Sequence, residues 1–198
     1  MKIMSNTTSP YARIARIALG EKGIDLSDTQ FVNPWGDEPT LLDLNSAARV
    51  PTLRTDEGIA ITESLLILMW LEKKTPQPSL LEGPLDRLIS QAGCAMGVID
   101  AMVHIIIGVM QVDPTFAEHR VGVRRRRTII NGMAALEAEP PAYDGGTPTV
   151  AVITTIVALD YLRLRFGNEP WLVPMPKLDV LRTAIAARPA FATTEPYI

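Results

Sequence analysis

Residues 49–64, RVPTLRTDEGIAITES, determine the fold of the N-terminal half of the chain. Two short apolar and β-branched runs, at residues 50–54 and 59–61, flank an acidic turn that ends in Gly58. Strands joined by so tight a turn must be antiparallel, so this stretch predicts a β-hairpin. A helix is predicted immediately after it, over residues 64–74.

The residues before the hairpin predict a β-α-β unit. A strand at residues 2–4 is followed by a helix that Ser9 caps and Pro10 begins, a favoured pair at a helix start. The next strand and a short helix are predicted at residues 29–32 and 39–44. Parallel crossovers of this kind are right-handed, so we expect a small mixed sheet with helices on both faces.

The second half of the sequence predicts helices only. A proline-rich segment at residues 77–84 separates a predicted N-terminal domain, residues 1–76, from a predicted helical domain, residues 85–198. The predicted helices of this second domain are residues 85–112, 115–139, 149–166 and 177–187.

Composition excludes several functional classes. The 198 residues are 47% hydrophobic and 21% charged with a net charge of −3, typical of a globular protein and unlike most nucleic-acid binders. Cys94 is the single cysteine, which excludes intramolecular disulfides and CxxC motifs. With only two histidines besides, we expect no metal site. The first ten residues lack the apolar run of a signal peptide, so a cytoplasmic protein is expected.

Residues 92–110 are apolar and long enough to cross a membrane, with Asp100 and His104 as the exceptions. A central Asp costs about 3 kcal/mol on insertion scales, so a buried helix of a soluble domain is the better interpretation. A helix apolar on most sides predicts a second copy as additional cover, and hence a homodimer.

Several short motifs resemble those of one family. They are Ser9-Pro10-Tyr11, Val50-Pro51-Thr52-Leu53, Glu63-Ser64 and Thr194-Glu195-Pro196. The first and third stand at predicted helix starts, the second precedes the predicted hairpin, and an all-helical half follows the first three. Together they resemble the cytosolic glutathione transferases, particularly the short bacterial members. The resemblance implies an α/β thioredoxin-like N-terminal domain and an all-α C-terminal helical-bundle domain.

The resemblance implies that Ser9 contacts the thiol of glutathione. A hydroxyl that donates to sulfur, at the positive end of a helix, favours the thiolate, which is the nucleophilic form. The alternative is that Ser9 is only a helix cap, and the two roles can coexist. Ser5, Thr7 and Thr8 are rival hydroxyls in the same loop.

Other contacts to glutathione are also implied by the resemblance. A cis bond before Pro51 would expose the Val50 backbone to the cysteinyl group. Ser64 and Glu63 suit the γ-glutamyl carboxylate and ammonium, and Arg49 suits the glycyl carboxylate. The alternatives are an ordinary trans proline, an ordinary helix start and a solvated arginine.

The predicted long helix contributes further candidates. Asp100 of a partner subunit is expected near the glutathione ammonium, although a buried structural pair of Asp100 with His104 is an open alternative. Tyr11, Met102 and His104 are expected to contact a hydrophobic co-substrate. Cys94 is expected to be inert on this helix.

Two local features concern stability and charge. The four arginines at residues 124–127 would spread around a helix, so they predict no nucleic-acid surface. Val152 replaces the Asp that relatives use in a capping box with Thr149, so we expect a weaker or shifted start of that helix.

The resemblance implies conjugation of the glutathione thiolate to a hydrophobic electrophile, with glutathione as co-substrate and no other cofactor. The alternatives are a glutathione-binding scaffold without turnover, and a glutathione-dependent disulfide reductase or peroxidase.

Overall fold

The computed structural model describes residues 1–197. They form two compact units, one of Met1–Leu81 together with the residues from Ala186 onward, the other of Glu82–Ile185.

The first unit contains a four-stranded sheet of order β2-β1-β3-β4. Its strands are β1 (Lys2–Ser5), β2 (Gln30–Phe31), β3 (Thr52–Arg54) and β4 (Ala60–Thr62). The β1–β2 pair is parallel, whereas the β1–β3 and β3–β4 pairs are antiparallel. This is the mixed sheet predicted from the crossover and the hairpin.

Three helices accompany this sheet: α1 (Pro10–Glu21), α2 (Pro39–Leu42) and α3 (Ser64–Lys74). Helix α1 contacts both β1 and α3. Ile14, Ala15 and Ala18 on its predicted apolar face have no exposed surface. The burial of small and branched side chains along α1 therefore fixes the helix that Ser9 caps.

The second unit is helical. It contains α4 (Leu85–Gln111), a 3-10 helix (Phe116–Glu118), α5 (Arg120–Ala138), α6 (Val150–Phe166) and α7 (Pro176–Ile185). Helix α4 packs against both α5 and α6. The helix predicted at residues 115–139 is divided in two, because the chain turns at the 3-10 segment, where Phe116 lies against Gly108 of α4.

Helix α6 forms the core of this second unit. Its residues from Val150 to Leu162 are all buried. Thr149 caps it, with its Oγ1 accepting from the Val152 N–H at 3.4 Å. Val152 itself has no exposed surface, so an apolar side chain fills the position and the helix start is not shifted.

Helix α4 is long and apolar enough to cross a membrane by composition alone. One face is nevertheless buried, including Ala95, Ile99 and Met102, and it packs against its neighbouring helices as a core helix does. Asp100 and His104 are exposed on the other face. Within one chain, therefore, Asp100 and His104 are not a buried pair.

The end of the chain returns to the first unit, which corrects the prediction that residues 85–198 form one domain. Helix α8 (Pro189–Ala192) packs on α1. The Arg188 guanidinium binds Glu21 at the end of α1, with its Nε donating to Oε1 at 2.9 Å. Helix α8 is too short for a periodic pattern, so nothing local indicated where it would dock.

Candidate functional site

The sheet register brings three separate sequence motifs to one end of the first unit. Thr52 of β3 lies opposite Met4 of β1 on one side and Thr62 of β4 on the other. The loop to Ser9 follows β1, the Val50–Pro51 bond precedes β3, and Glu63 follows β4. Ser9 therefore meets two motifs that lie more than 40 residues further along the chain, because β3 pairs with both β1 and β4.

Ser9 is the N-cap of α1. Its Oγ accepts a hydrogen bond from the Ala12 N–H at 3.2 Å. A hydroxyl has two acceptor lone pairs and one hydrogen, so this cap leaves the hydrogen available for a ligand. The side chain is half-buried at the positive end of a helix of 12 residues. Capping and contact with a thiolate are therefore compatible.

The rival hydroxyls differ in their surroundings. Ser5 has no exposed surface, and its hydroxyl donates to the Asn6 carbonyl oxygen at 3.4 Å. The Thr8 hydroxyl donates to Asn6 Oδ1 at 2.8 Å. Thr7 is half-buried, as Ser9 is. The structure therefore favours Ser9 and Thr7 over Ser5 and Thr8 as donors to a ligand.

The Val50–Pro51 peptide bond is cis, as the resemblance implies. Val50 is 8% exposed, whereas Arg49 beside it is exposed. The Arg49 carbonyl oxygen accepts from Asn45 Nδ2 at 3.0 Å and from Thr52 Oγ1 at 2.8 Å. Sequence reasoning missed Asn45. The available signal was an Asn after an apolar helix and before small residues, which is typical of an Asx turn.

Glu63 is the N-cap of α3 and has an unusual backbone conformation. Its φ is 65° and its ψ is 122°, a region that few residues other than glycine adopt. Such conformations cost about 1–3 kcal/mol and cluster at ligand-binding sites. The Glu63 side chain is exposed. Its carboxylate accepts no capping hydrogen bond from the N–H groups of α3 that the structure describes.

Ser64 is the first residue of α3 and is 2% exposed. The first N–H groups of a helix have no acceptor within the helix, so they remain available to an anion. Ser64 therefore lies beside both an exposed carboxylate and free backbone donors. This arrangement can bind a group that carries a carboxylate and an ammonium together.

The three residues predicted to contact a hydrophobic co-substrate differ in how much of their surface is exposed. Tyr11 is half-buried on α1, and His104 is exposed on α4. Met102 has no exposed surface, because it lies on the inner face of α4 in the core of the second unit. A side chain without accessible surface cannot touch a ligand, so the prediction for Met102 is wrong.

Cys94 lies half-buried on α4, and its Sγ is 3.6 Å from the Gly132 carbonyl oxygen. Burial raises the pKa of this thiol, which lowers its nucleophilicity at neutral pH. Arg124 and Arg127 are exposed and the two arginines between them are half-buried, so the four are spread around α5. Within residues 1–197 no His, Cys, Asp and Glu side chains form a group able to hold a metal.

Comparison with known proteins identifies the family. Residues 8–74 match the family model of the glutathione S-transferase N-terminal domain. The GST-like protein YibF of Escherichia coli K12 is 30% identical over 206 residues, covering 99% of this chain and 98% of YibF. A maleylacetoacetate isomerase of Pseudomonas aeruginosa is 28% identical over 207 residues, covering 99% of this chain and 96% of that one.

A solved structure agrees over the full length of the chain. It is a glutathione S-transferase from Methylobacterium radiotolerans in complex with glutathione sulfonate. It has a TM-score of 0.89 and 32% sequence identity, and the match covers 100% of this chain and 95% of that one. With three motifs at one end of a thioredoxin-like sheet and full-length relatives of this kind, the chain belongs to the glutathione S-transferase family.

Proposed function

We propose that the protein binds glutathione with its N-terminal unit and transfers the thiolate to a hydrophobic electrophile. The observation that carries this proposal is the meeting of Ser9, the cis Val50–Pro51 bond and Glu63-Ser64 at one end of the sheet. Each of these three features can bind a different part of glutathione. Full-length relatives of this family, one of them solved with a glutathione derivative, support the same ligand.

The peptide backbone and charged groups of the site hold the ligand. The Val50 N–H and C=O pair with the cysteinyl group as an added strand would. The N–H groups at the start of α3, with Ser64, bind the γ-glutamyl carboxylate, and the Glu63 carboxylate binds the adjacent ammonium. The exposed guanidinium of Arg49 pairs with the glycyl carboxylate.

Ser9 then acts on the sulfur. Its hydroxyl hydrogen donates to the thiolate, and the dipole of α1 adds a favourable field, so both lower the thiol pKa. The thiolate attacks an electrophilic carbon and forms an S–C bond. In a displacement the leaving group departs with the electron pair of its bond, and in an addition the neighbouring carbon takes up a proton. Tyr11, half-buried on α1, contacts the electrophile.

We propose further that the protein is a homodimer in which Asp100 of a second copy reaches the glutathione ammonium. Asp100 is exposed on a face of α4 that also carries the exposed Ile89. Covering this partly apolar face favours association. The carboxylate then adds a second negative charge near a cationic ligand group.

A second candidate function is glutathione-dependent cis–trans isomerisation. It is favoured by the isomerase from Pseudomonas aeruginosa, which matches 99% of this chain. The same thiolate would begin this reaction, by adding to an activated double bond. The resulting single bond rotates, and elimination then restores both the double bond and the free thiol.

The deciding experiment measures products from wild type, Ser9→Ala and Ser9→Gly with glutathione. The substrates are aryl halides, epoxides, cis-enones and hydroperoxides, and mass spectrometry identifies each product. A conjugate of increased mass that is lost in both variants supports transfer, and an isomer of unchanged mass supports the second candidate. Because glycine caps helices nearly as well as serine, Ser9→Gly separates loss of the hydroxyl from loss of the cap.

Two outcomes contradict both candidates. Oxidised glutathione formed together with the alcohol and water from hydroperoxides, with no conjugate or isomer from the other substrates, would indicate a peroxidase. Glutathione binding without turnover of any substrate would indicate a scaffold.

A further inference from the structure

Asn45 and Thr52 form a buried hydrogen-bonded cluster with the Arg49 carbonyl group. Asn45 is 8% exposed and Thr52 has no exposed surface. Asn45 Nδ2 donates to the Arg49 oxygen at 3.0 Å and lies 3.1 Å from Thr52 Oγ1. The Thr52 hydroxyl donates to the same Arg49 oxygen at 2.8 Å. This one carbonyl therefore accepts hydrogen bonds from two side chains.

These bonds set the direction of the next N–H group. Within residues 1–197 the cis peptide bonds are those before Pro51 and Pro78, so the Arg49–Val50 bond is trans. In a planar trans peptide the C=O and the following N–H point in opposite directions. Holding the Arg49 carbonyl against Asn45 and Thr52 therefore turns the Val50 N–H away from the cluster.

Asn45 also holds the start of the same loop. Its Oδ1 accepts from the Ala47 N–H at 3.0 Å, and its carbonyl oxygen accepts from the Ala48 N–H at 2.8 Å. These bonds accompany a φ of 51° at Ala48, which is unfavourable for a residue with a side chain. One asparagine thus fixes both ends of the loop, and a loop ordered before binding loses less entropy when it binds.

We propose that Asn45 and Thr52 are positioning residues for glutathione binding, because they fix the Arg49–Val50 peptide so that the Val50 N–H meets the cysteinyl group. This inference rests on the proposed function of the site. Neither side chain touches the ligand. Their effect falls on affinity for glutathione and leaves the thiol pKa alone, because the Ser9 hydroxyl belongs to a different loop.

The test compares Thr52→Val with Thr52→Ser, and uses Asn45→Asp as an independent variant. Valine keeps the shape of threonine without the hydroxyl, serine keeps the hydroxyl, and aspartate keeps the shape of asparagine without the donor hydrogens. Calorimetry gives the Kd for glutathione, and ultraviolet absorbance of the thiolate against pH gives the pKa of the bound thiol. We expect Thr52→Val and Asn45→Asp to raise Kd about tenfold, the loss of roughly one hydrogen bond.

Thr52→Ser is expected to bind within about twofold of wild type, and the bound thiol pKa is expected to be the same in all four proteins. Wild-type affinity in Thr52→Val, or equal weakness in Thr52→Ser, overturns the inference, as does a thiol pKa that rises with Kd. If wild type binds glutathione with a lowered thiol pKa and Thr52→Val does so equally well, only the inference fails. If wild type does not bind glutathione, the proposed function fails with it.

Discussion

Glu63 combines an unfavourable backbone conformation with an exposed carboxylate. Its φ of 65° is a conformation that glycine adopts more easily. We therefore expect Glu63→Gly to be more stable than Glu63→Ala by about 1 kcal/mol, since alanine keeps the strain. Both variants lose the carboxylate, so both are expected to bind glutathione more weakly than wild type. Chemical denaturation and calorimetry measure the two effects, and equal stability of the variants would contradict the strain.

An ion pair between a buried lysine and a partly buried glutamate anchors the segment that leaves the first unit. The Lys22 side chain has no exposed surface, and its Nζ lies 2.5 Å from Glu72 Oε1. Glu72 also accepts from the Leu80 N–H at 2.9 Å and the Ser79 hydroxyl at 3.0 Å. Burial raises the pKa of Glu72, but the bonds from Lys22, Leu80 and Ser79 lower it by more, so it lies below its ordinary value.

Removing one charge of this pair should lower the free energy of unfolding. We expect Glu72→Gln to lower the free energy of unfolding at pH 7 by about 3 kcal/mol, because the buried Lys22 ammonium loses its opposite charge and keeps the neutral Thr75 carbonyl oxygen, at 2.8 Å. Lys22→Met combined with Glu72→Gln should lose less than Glu72→Gln alone. Urea denaturation of wild type, both single variants and the double variant measures this coupling.

The direction of the Glu72 pKa shift determines how the contribution of this pair to the free energy of unfolding depends on pH. A carboxyl whose pKa is lowered by folding contributes stability that is complete above its ordinary pKa of 4.5. That contribution is lost as the pH falls through the lower pKa of the folded protein. The stability difference between wild type and Glu72→Gln should therefore shrink in acid. A difference that stays constant down to the acid transition would contradict the pairing.

Residues of the site differ in how far the sequence reveals them. Ser9, Val50 and Glu63 carry local signals: a cap before a proline, a proline before a strand and a carboxylate at a helix start. Asn45 carries only the general signal of an Asx turn, and neither Asn45 nor Thr52 reveals its bond to Arg49, because these bonds exist only once the loop is folded. Met102 was misjudged because periodicity shows that a helix face is apolar but cannot show which neighbour covers it.

At the scale of elements, the contact between Gly108 of α4 and the Phe116 ring is testable. A Cβ at position 108 would lie 2.2 Å from Phe116 Cδ1, so the whole ring must move. We expect Gly108→Ala to lower the free energy of unfolding by about 1–3 kcal/mol. In a Phe116→Ala background the same change should be neutral or stabilising, by up to about 1 kcal/mol, because alanine is the better helix former. Equal losses in both backgrounds would contradict the contact.

Element boundaries were predictable where the signal is local. The bounds of α3 are those predicted, and the starts of α1 and α4 are also correct. Strands β2 and β3 are shorter than predicted, β1 is one residue longer and β4 is shifted by one residue, since pairing rather than composition decides where a strand ends. The split between the 3-10 helix and α5 depends on the packing of Phe116 against another helix, which the sequence of that segment does not contain.

For the whole molecule, the proposed homodimer makes a direct prediction. Ile89 on α4 and Val180 on α7 are both exposed apolar residues. We expect light scattering to give twice the chain mass for wild type and for Val180→Lys. Ile89→Lys should dissociate, because a buried lysine without a partner opposes association. A monomeric wild type would contradict the dimer, and dissociation of Val180→Lys would place the interface elsewhere.

The division into two units shows what a single sequence leaves out. Near residue 80 the predicted elements change from alternating strands and helices to helices alone, and the proline-rich segment marks this boundary. The return of the chain from Ala186 was not, because it depends on pairs such as Arg188 with Glu21, which lie 167 positions apart. Long-range pairs of this kind follow from the completed fold.

The central claim is that Ser9 activates the thiol of bound glutathione, and one titration tests it most directly. Thiolate absorbance of bound glutathione is followed against pH in wild type and in Ser9→Ala. We predict a pKa for the bound thiol well below that of free glutathione in wild type, and a higher pKa in the variant, because the donor to sulfur is lost. Binding of glutathione with the thiol pKa of the free molecule in both proteins would contradict the account.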